Sequence, residues 1–68
     1  MNVTKEGVTI VLTWRTDDAE DVAKAQAVYT RLVRQGWLAT GQTKGRRRVF
    51  AFPPDQGILV FIPLSEGG

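Results

Sequence analysis

The amino-acid sequence predicts an α+β domain in which one helix packs on a small mixed four-stranded sheet, in the order β-α-β-β-β. Three observations support this prediction. Residues 8–14 repeat with the period of two that is typical of a strand, residues 17–35 repeat with the period of a helix, and the remainder carries apolar segments separated by glycine and proline. A helix and a sheet that each have one apolar face bury those faces against each other.

Length and composition limit the size and the chemistry of the domain. The 68 residues, 43% of them hydrophobic, suffice for one core, and we expect a single domain over residues 1–68 with residues 64–68 as a flexible carboxyl-terminal tail. The chain has no histidine and no cysteine, and its one serine is Ser65. Imidazole and thiol catalysis, disulfides and thiolate metal sites are therefore excluded, and we predict a non-enzymatic protein with no cofactor and no metal.

The sequence also predicts a cytoplasmic protein that makes no contact with a membrane. Its longest apolar run, residues 58–62, is far shorter than the roughly 20 residues that span a bilayer. The amino-terminal residues do not form the basic-then-apolar pattern of a secretory signal.

The first predicted strand covers residues 8–14. Val8, Ile10, Leu12 and Trp14 share one side of this segment, as expected for a strand with one buried face. The pair Glu6-Gly7 precedes it and suits a turn, so residues 2–5 form an additional short first strand if that turn closes a hairpin.

The predicted helix begins after Thr16 or Asp17, either of which suits the amino-terminal cap. Acidic residues crowd its first turn and Arg31 and Arg34 lie near its last, as the helix dipole favours. Gly36 is suited to the left-handed conformation that ends a helix. The apolar positions at helical spacing, which we expect to face the core, are Val22, Ala25, Tyr29, Leu32 and Val33.

The remaining residues predict three more strands, over residues 37–40, 46–52 and 58–63. A glycine-containing loop at 41–45 and a Pro-Pro-Asp-Gln-Gly turn at 53–57 separate them. The first strand, the helix and the 37–40 strand are expected to form a right-handed crossover.

The carboxyl-terminal residues carry a resemblance to a known family. The chain ends Phe-Ile-Pro-Leu-Ser-Glu-Gly-Gly, and it resembles the ubiquitin-like sulfur-carrier proteins, namely the small subunit of molybdopterin synthase and the sulfur carrier of thiamine synthesis, at Phe61, Ile62, Pro63, Gly67 and Gly68. The resemblance implies a β-grasp-like fold and an adenylating partner enzyme. It also implies that the terminal carboxylate of the Gly67-Gly68 pair is converted to a thiocarboxylate or is joined to an amine. An ordinary terminal tail is the alternative.

A basic stretch suggests a different function. Between residues 22 and 54 there are seven cationic side chains and no acidic one: Lys24, Arg31, Arg34, Lys44, Arg46, Arg47 and Arg48. A nucleic-acid-binding protein would use Lys44, Arg34 and the arginines at 46–48 on phosphates and stack bases on Trp37, Phe50 or Phe52. The alternative is a solvated strand end whose phenylalanines fill the core.

The other conspicuous residues favour structural roles. Asp17, Asp18, Glu20 and Asp21 are typical of a first helical turn, and their spacing does not fit a calcium loop. Trp14 and Trp37 are expected in the core, with contact to a partner as the weaker interpretation.

The sequence as a whole predicts a small non-enzymatic protein-interaction module, most specifically a ubiquitin-like or sulfur-carrier-like protein. A basic nucleic-acid-binding protein is one alternative. The other is a structural or homo-oligomeric module, for which a homodimer pairing a sheet edge is physically reasonable.

Overall fold

Four strands and one helix follow one another in the order β-β-α-β-β in the computed structural model, which describes residues 1–41 and 48–63. The elements are β1 (Asn2–Glu6), β2 (Thr9–Thr13), α1 (Ala19–Arg34), β3 (Trp37–Thr40) and β4 (Ile58–Pro63). The predicted α+β class, with one helix on a four-stranded sheet, is confirmed, and the optional first strand is present as β1.

The sheet has the order β1-β2-β4-β3, and each neighbouring pair is antiparallel. The prediction of a mixed sheet is therefore wrong for the strands described. Instead β4, the last strand in sequence, lies between β2 and β3 and runs antiparallel to both. Strands β2 and β3 consequently point in the same direction without touching.

The hairpin of β1 and β2 turns at Gly7 and Val8. Gly7 has a φ of 62°, a left-handed conformation that glycine adopts without strain. The Thr9 hydroxyl donates a hydrogen bond to the Glu6 carbonyl oxygen across the turn (2.8 Å). Val8, predicted to open the buried face of the strand, belongs to this turn and is 70% exposed.

The capping residue of α1 is Asp18, not Thr16 or Asp17. Its carboxylate accepts hydrogen bonds from the backbone N–H groups of Glu20 (3.0 Å) and Asp21 (3.3 Å). At the other end Gly36 has a φ of 101°, as predicted for the residue that ends the helix.

The buried side of α1 differs from the prediction at one position. Ala25 and Leu32 are buried, and Val22 and Tyr29 pack against the core, but Val33 is 42% exposed. Val28, four residues before Leu32 on the same side of the helix, packs against the core as well. The apolar stripe is therefore rotated slightly from the one that the sequence predicts.

The core lies between α1 and one face of the sheet. Phe61, Leu12 and Leu59 are fully buried. Four aromatic rings extend this core, with centroids 5.0 Å apart for Trp14 and Phe52, 5.7 Å for Tyr29 and Phe52, and 6.2 Å for Tyr29 and Phe61. Such tilted pairs add to the stabilisation from burial.

The segment predicted as a strand over residues 46–52 contributes a single bridge in its described part. Arg48 is paired with Thr40, and the Val49 N–H donates to the Ala39 carbonyl oxygen (2.9 Å). The chain then leaves the edge of the sheet, because Phe52 enters the aromatic cluster beside Trp14. Phe50, which we expected in the core, is 79% exposed.

The amino terminus is attached to the start of α1 through Asp21. The Met1 amine donates to both carboxylate oxygens (2.8 and 3.0 Å), and the Arg15 N–H donates to one of them (2.8 Å). These donors hold the pKa of Asp21 below its ordinary value of 3.8, the amine contributing most.

In the described part of the chain, no helix has the length and apolar character needed to cross a bilayer.

Replacing Phe61 with alanine is expected to destabilise the fold by about 3 to 5 kcal/mol, because it leaves a cavity between α1 and β4. The matched control, Phe50→Ala, removes the same side chain from an exposed position and should cost about 0.5 kcal/mol or less. Urea unfolding followed by tryptophan fluorescence measures both. Equal losses for the two variants would contradict the placement of the core.

The lowered pKa of Asp21 predicts a loss of stability in acid. Because this pKa is lower in the folded chain than in the unfolded one, the stabilisation is complete above about pH 3.8 and disappears as the pH falls through the folded value. Asp21→Asn should be less stable at neutral pH and lose less stability on acidification. Asp17→Asn, at an exposed position, should follow the unmodified chain in urea unfolding across the pH series.

Candidate functional site

The face of the sheet opposite α1 is the candidate functional site, and we call it the open face. Side chains alternate along a strand, and residues paired across antiparallel strands point to the same side. Leu12 and Phe61 face α1, so their neighbours Val11 and Val60 face the other way. The aliphatic residues of the open face are Val11, Leu38, Ile58, Val60 and Ile62.

In residues 1–41 and 48–63, α1 and the aromatic cluster lie on the core side, and no helix lies over the open face. Val11, Ile58, Ile62 and Leu38 are partly exposed. Val60, in the middle of the face between Val11 and Thr40, is 8% exposed. The Thr40 hydroxyl is satisfied within the face, since it donates to the Val60 carbonyl oxygen (2.9 Å).

Arg48 and Phe50 lie at the β3 edge of the open face. The bridge between Arg48 and Thr40 places the arginine on the same side as Val60. Its guanidinium carbon lies 4.7 Å from the centre of the Phe50 ring, within the range of a cation–π contact. An exposed phenylalanine with a stacked arginine is a common composition at binding surfaces.

A groove of about 110 Å³ runs along the outer edge of β3 beneath this pair. The helix contributes Tyr29 and Val33 to it, and β3 contributes Trp37 and Leu38. Phe50 lines it as well. The exposure of Val33 and Phe50 extends the apolar surface around this edge from the open face towards the helix.

The charged residues of the open face lie at its two edges. Glu6 is paired with Thr9 and therefore points to the open side at the β1 edge, while Arg48 lies at the β3 edge. They are the two charged side chains that β1 to β4 and the bridge residue place on this face. The other residues of the face are the five aliphatic residues, four threonines and Asn2 at the end of β1.

The structure separates the basic residues singled out in the sequence. Arg31 and Arg34 lie on the exposed side of α1, where they line a shallow surface together with Thr30 and Gln35. Arg48 lies on the open face. Lys44, Arg46 and Arg47 lie outside the described residues, so a continuous phosphate-binding surface stays a prediction.

The two tryptophans occupy different positions. Trp14 is 6% exposed and its indole N–H donates to the Pro54 carbonyl oxygen (3.1 Å), so it has the core role that we expected rather than the weaker one of partner contact. Trp37 is partly exposed, packs against the core and lines the β3 groove. Of the two, Trp37 is the one accessible to a partner.

Two acidic residues near the start of α1, Asp18 and Asp21, accept hydrogen bonds from main-chain N–H groups. Asp18 caps the helix, and Asp21 binds the Met1 amine and the Arg15 N–H. Within the described residues, no group of three or more His, Cys, Asp or Glu side chains is arranged to hold a metal ion.

Sequence reasoning missed the open face, although a signal for it was present. Residues 58–62 are five successive apolar residues, whereas a strand with one solvated face alternates. That run indicates a central strand that is apolar on both faces. The period of two in β2 predicts one buried face that contains Leu12, and it leaves Val11 on the face that we expected to be solvated.

Comparisons with known proteins provide no relative from which a function can be transferred. No protein-family model, no curated protein and no solved structure matches the chain significantly. Gly67 and Gly68 lie outside the described residues, so the sulfur-carrier resemblance and its activated carboxylate stay a prediction.

Proposed function

We propose that this chain is a small non-enzymatic protein-interaction module that binds a protein partner through the open face. The observation that supports the proposal best is the group of four partly exposed aliphatic side chains around the nearly buried Val60, on the side of the sheet away from α1: Val11, Leu38, Ile58 and Ile62. Contiguous apolar surface on a small protein is typical of an interaction site, because covering it removes that surface from water. Phe50 and Arg48 add an aromatic and a charged contact at its edge.

The composition of the open face favours a protein over other partners. Valine, isoleucine and leucine gain from contact with other aliphatic side chains, whereas they offer no aromatic ring on which a nucleic-acid base could stack. Thr4 and Thr13 add hydroxyl groups to the same face. A protein with a flat aliphatic surface therefore fits this face.

The chemistry of the face also supports binding rather than catalysis. The chain has no histidine or cysteine, and the hydroxyl of Thr40 is occupied by the Val60 carbonyl oxygen. A threonine nucleophile needs a general base beside it. The two charged residues, Glu6 and Arg48, lie at opposite edges and are too far apart to act together on one reacting group.

A photoreactive amino acid placed at Val11 is expected to form covalent adducts with a protein partner in living cells of the source organism. Val11 lies on the open face and is partly exposed, so a bound partner comes within reach of the photoreactive group. The adducts are measured by gel electrophoresis and identified by mass spectrometry.

The control carries the same amino acid in place of Lys24, which lies on the exposed side of α1. Adducts that depend on the Val11 position and are missing from the Lys24 position support the proposal. Adducts of equal yield at both positions, or none from the open face, would contradict it.

Binding of single-stranded nucleic acid is the second candidate function, because of Arg48 and Phe50. The ring of Phe50 is 79% exposed and has a cation beside it, which is the local composition on which a base stacks. The exposed Arg31 and Arg34 add positive charge elsewhere on the described surface. A single exposed aromatic ring makes this candidate weaker than the first.

If this second function is present, Phe50→Ala should weaken binding of a fluorescent single-stranded oligonucleotide by about 1 to 3 kcal/mol, the usual contribution of one stacked base. Fluorescence anisotropy at two salt concentrations measures the affinity and its salt dependence. Arg15→Gln, which changes an exposed arginine outside the open face, is the control and should have a smaller effect. Absence of binding at low salt would exclude this candidate.

A further inference from the structure

We propose that the open face binds a second copy of the same chain, so that two sheets pack face to face around a twofold axis that runs along β4. This inference rests on the proposed function, since it names the partner of the same face. It differs from the edge-paired homodimer that the sequence suggests, because the contact is made by side chains and not by backbone pairing.

The order of the strands makes the open face suited to such a twofold axis. Counting from the β1 edge, the face consists of β1, β2, β4, β3 and the bridge residue Arg48, with β4 in the middle. A twofold axis along β4 places β4 over its own copy and β2 over β3 of the partner. The axis then passes over Val60, which is 8% exposed, and the partly exposed side chains of Val11, Leu38, Ile58 and Ile62 from the two copies make the apolar contact.

The charges of the face are complementary under the same axis. β1 of one copy lies over the Arg48 edge of the other, so each Glu6 approaches the Arg48 and Phe50 pair of its partner. The contact between Arg48 and the Phe50 ring, 4.7 Å, orients the guanidinium along the edge towards that position. The two arginines of a dimer lie at opposite ends of the interface, and so do the two glutamates. A face with one acid and one base at opposite edges therefore pairs with itself without repulsion.

The size of the face is consistent with a weak dimer. Strands are about 4.8 Å apart and rise about 3.3 Å per residue, so the face covers on the order of 400 Å² in each copy. The total is at the low end for specific protein interfaces, where association is weak and reversible. We therefore expect a weak dimer that forms at high protein concentration and dissociates on dilution. Two sheets packed about 10 Å apart form the same kind of layer as in a β-sandwich.

Charge reversal tests this arrangement on the full chain. Glu6→Arg and Arg48→Glu should each weaken self-association by about tenfold or more, because two pairs of like charges then face each other in the dimer. An equimolar mixture of the two variants should associate at least as well as the unmodified chain, since every arginine then faces a glutamate. Sedimentation equilibrium over a range of concentrations measures all four samples.

Control variants carry the same charge changes on α1, away from the open face. Glu20→Arg and Lys24→Glu, alone and mixed, should leave the dissociation constant unchanged. The proposal is overturned if the unmodified chain is monomeric at millimolar concentration, if the mixture associates no better than its components, or if the α1 variants have the same effect. A monomeric chain whose Val11 position still forms adducts with a different protein would overturn this inference and leave the proposed function intact.

Discussion

The insertion of β4 between β2 and β3 is the interaction on which the rest of the structure depends. It joins two units that would otherwise be separate, the β1–β2 hairpin and the pair formed by α1 and β3. Each unit alone has too few buried side chains to be stable in water. Through Phe61 and Leu59, β4 supplies the centre of the core, and through Val60 it supplies the centre of the open face.

This arrangement also explains how far the fold could be predicted from the sequence. Local signals determine α1, Gly36 and the extent of β4, which the apolar run and its flanking turn mark correctly. Strand order is not local. Thr13 pairs with Ile58, 45 positions later, and nothing in the sequence around either residue predicts that the two will pair. The predicted mixed sheet failed for that reason.

Residues 48–52 show a second limit to predicting the fold from the sequence. Their sequence alternates as a strand does, yet Arg48 alone among them forms a bridge to the sheet, and Phe52 packs against the rings of Trp14 and Tyr29 instead. Tertiary packing thus overrides the local pattern. Phe50, which lies in the same segment, is exposed. The sequence pattern does not predict this, because it predicts a continuous strand over residues 46–52.

A domain of this size has one helix with which to cover a sheet whose second face also carries aliphatic side chains, on β2, β4 and β3. The helix protects Leu12, Leu59 and Phe61, and the described residues provide no second helix for Val11, Val60 and their neighbours. A polar second face would have been easier to maintain in isolation, because small domains gain little stability to spare. The aliphatic side chains of that face are the reason that we propose a protein partner for it. Because β4 lies at its centre and ends at Pro63, opposite Trp37, a partner on the open face would also lie beside the end of β4.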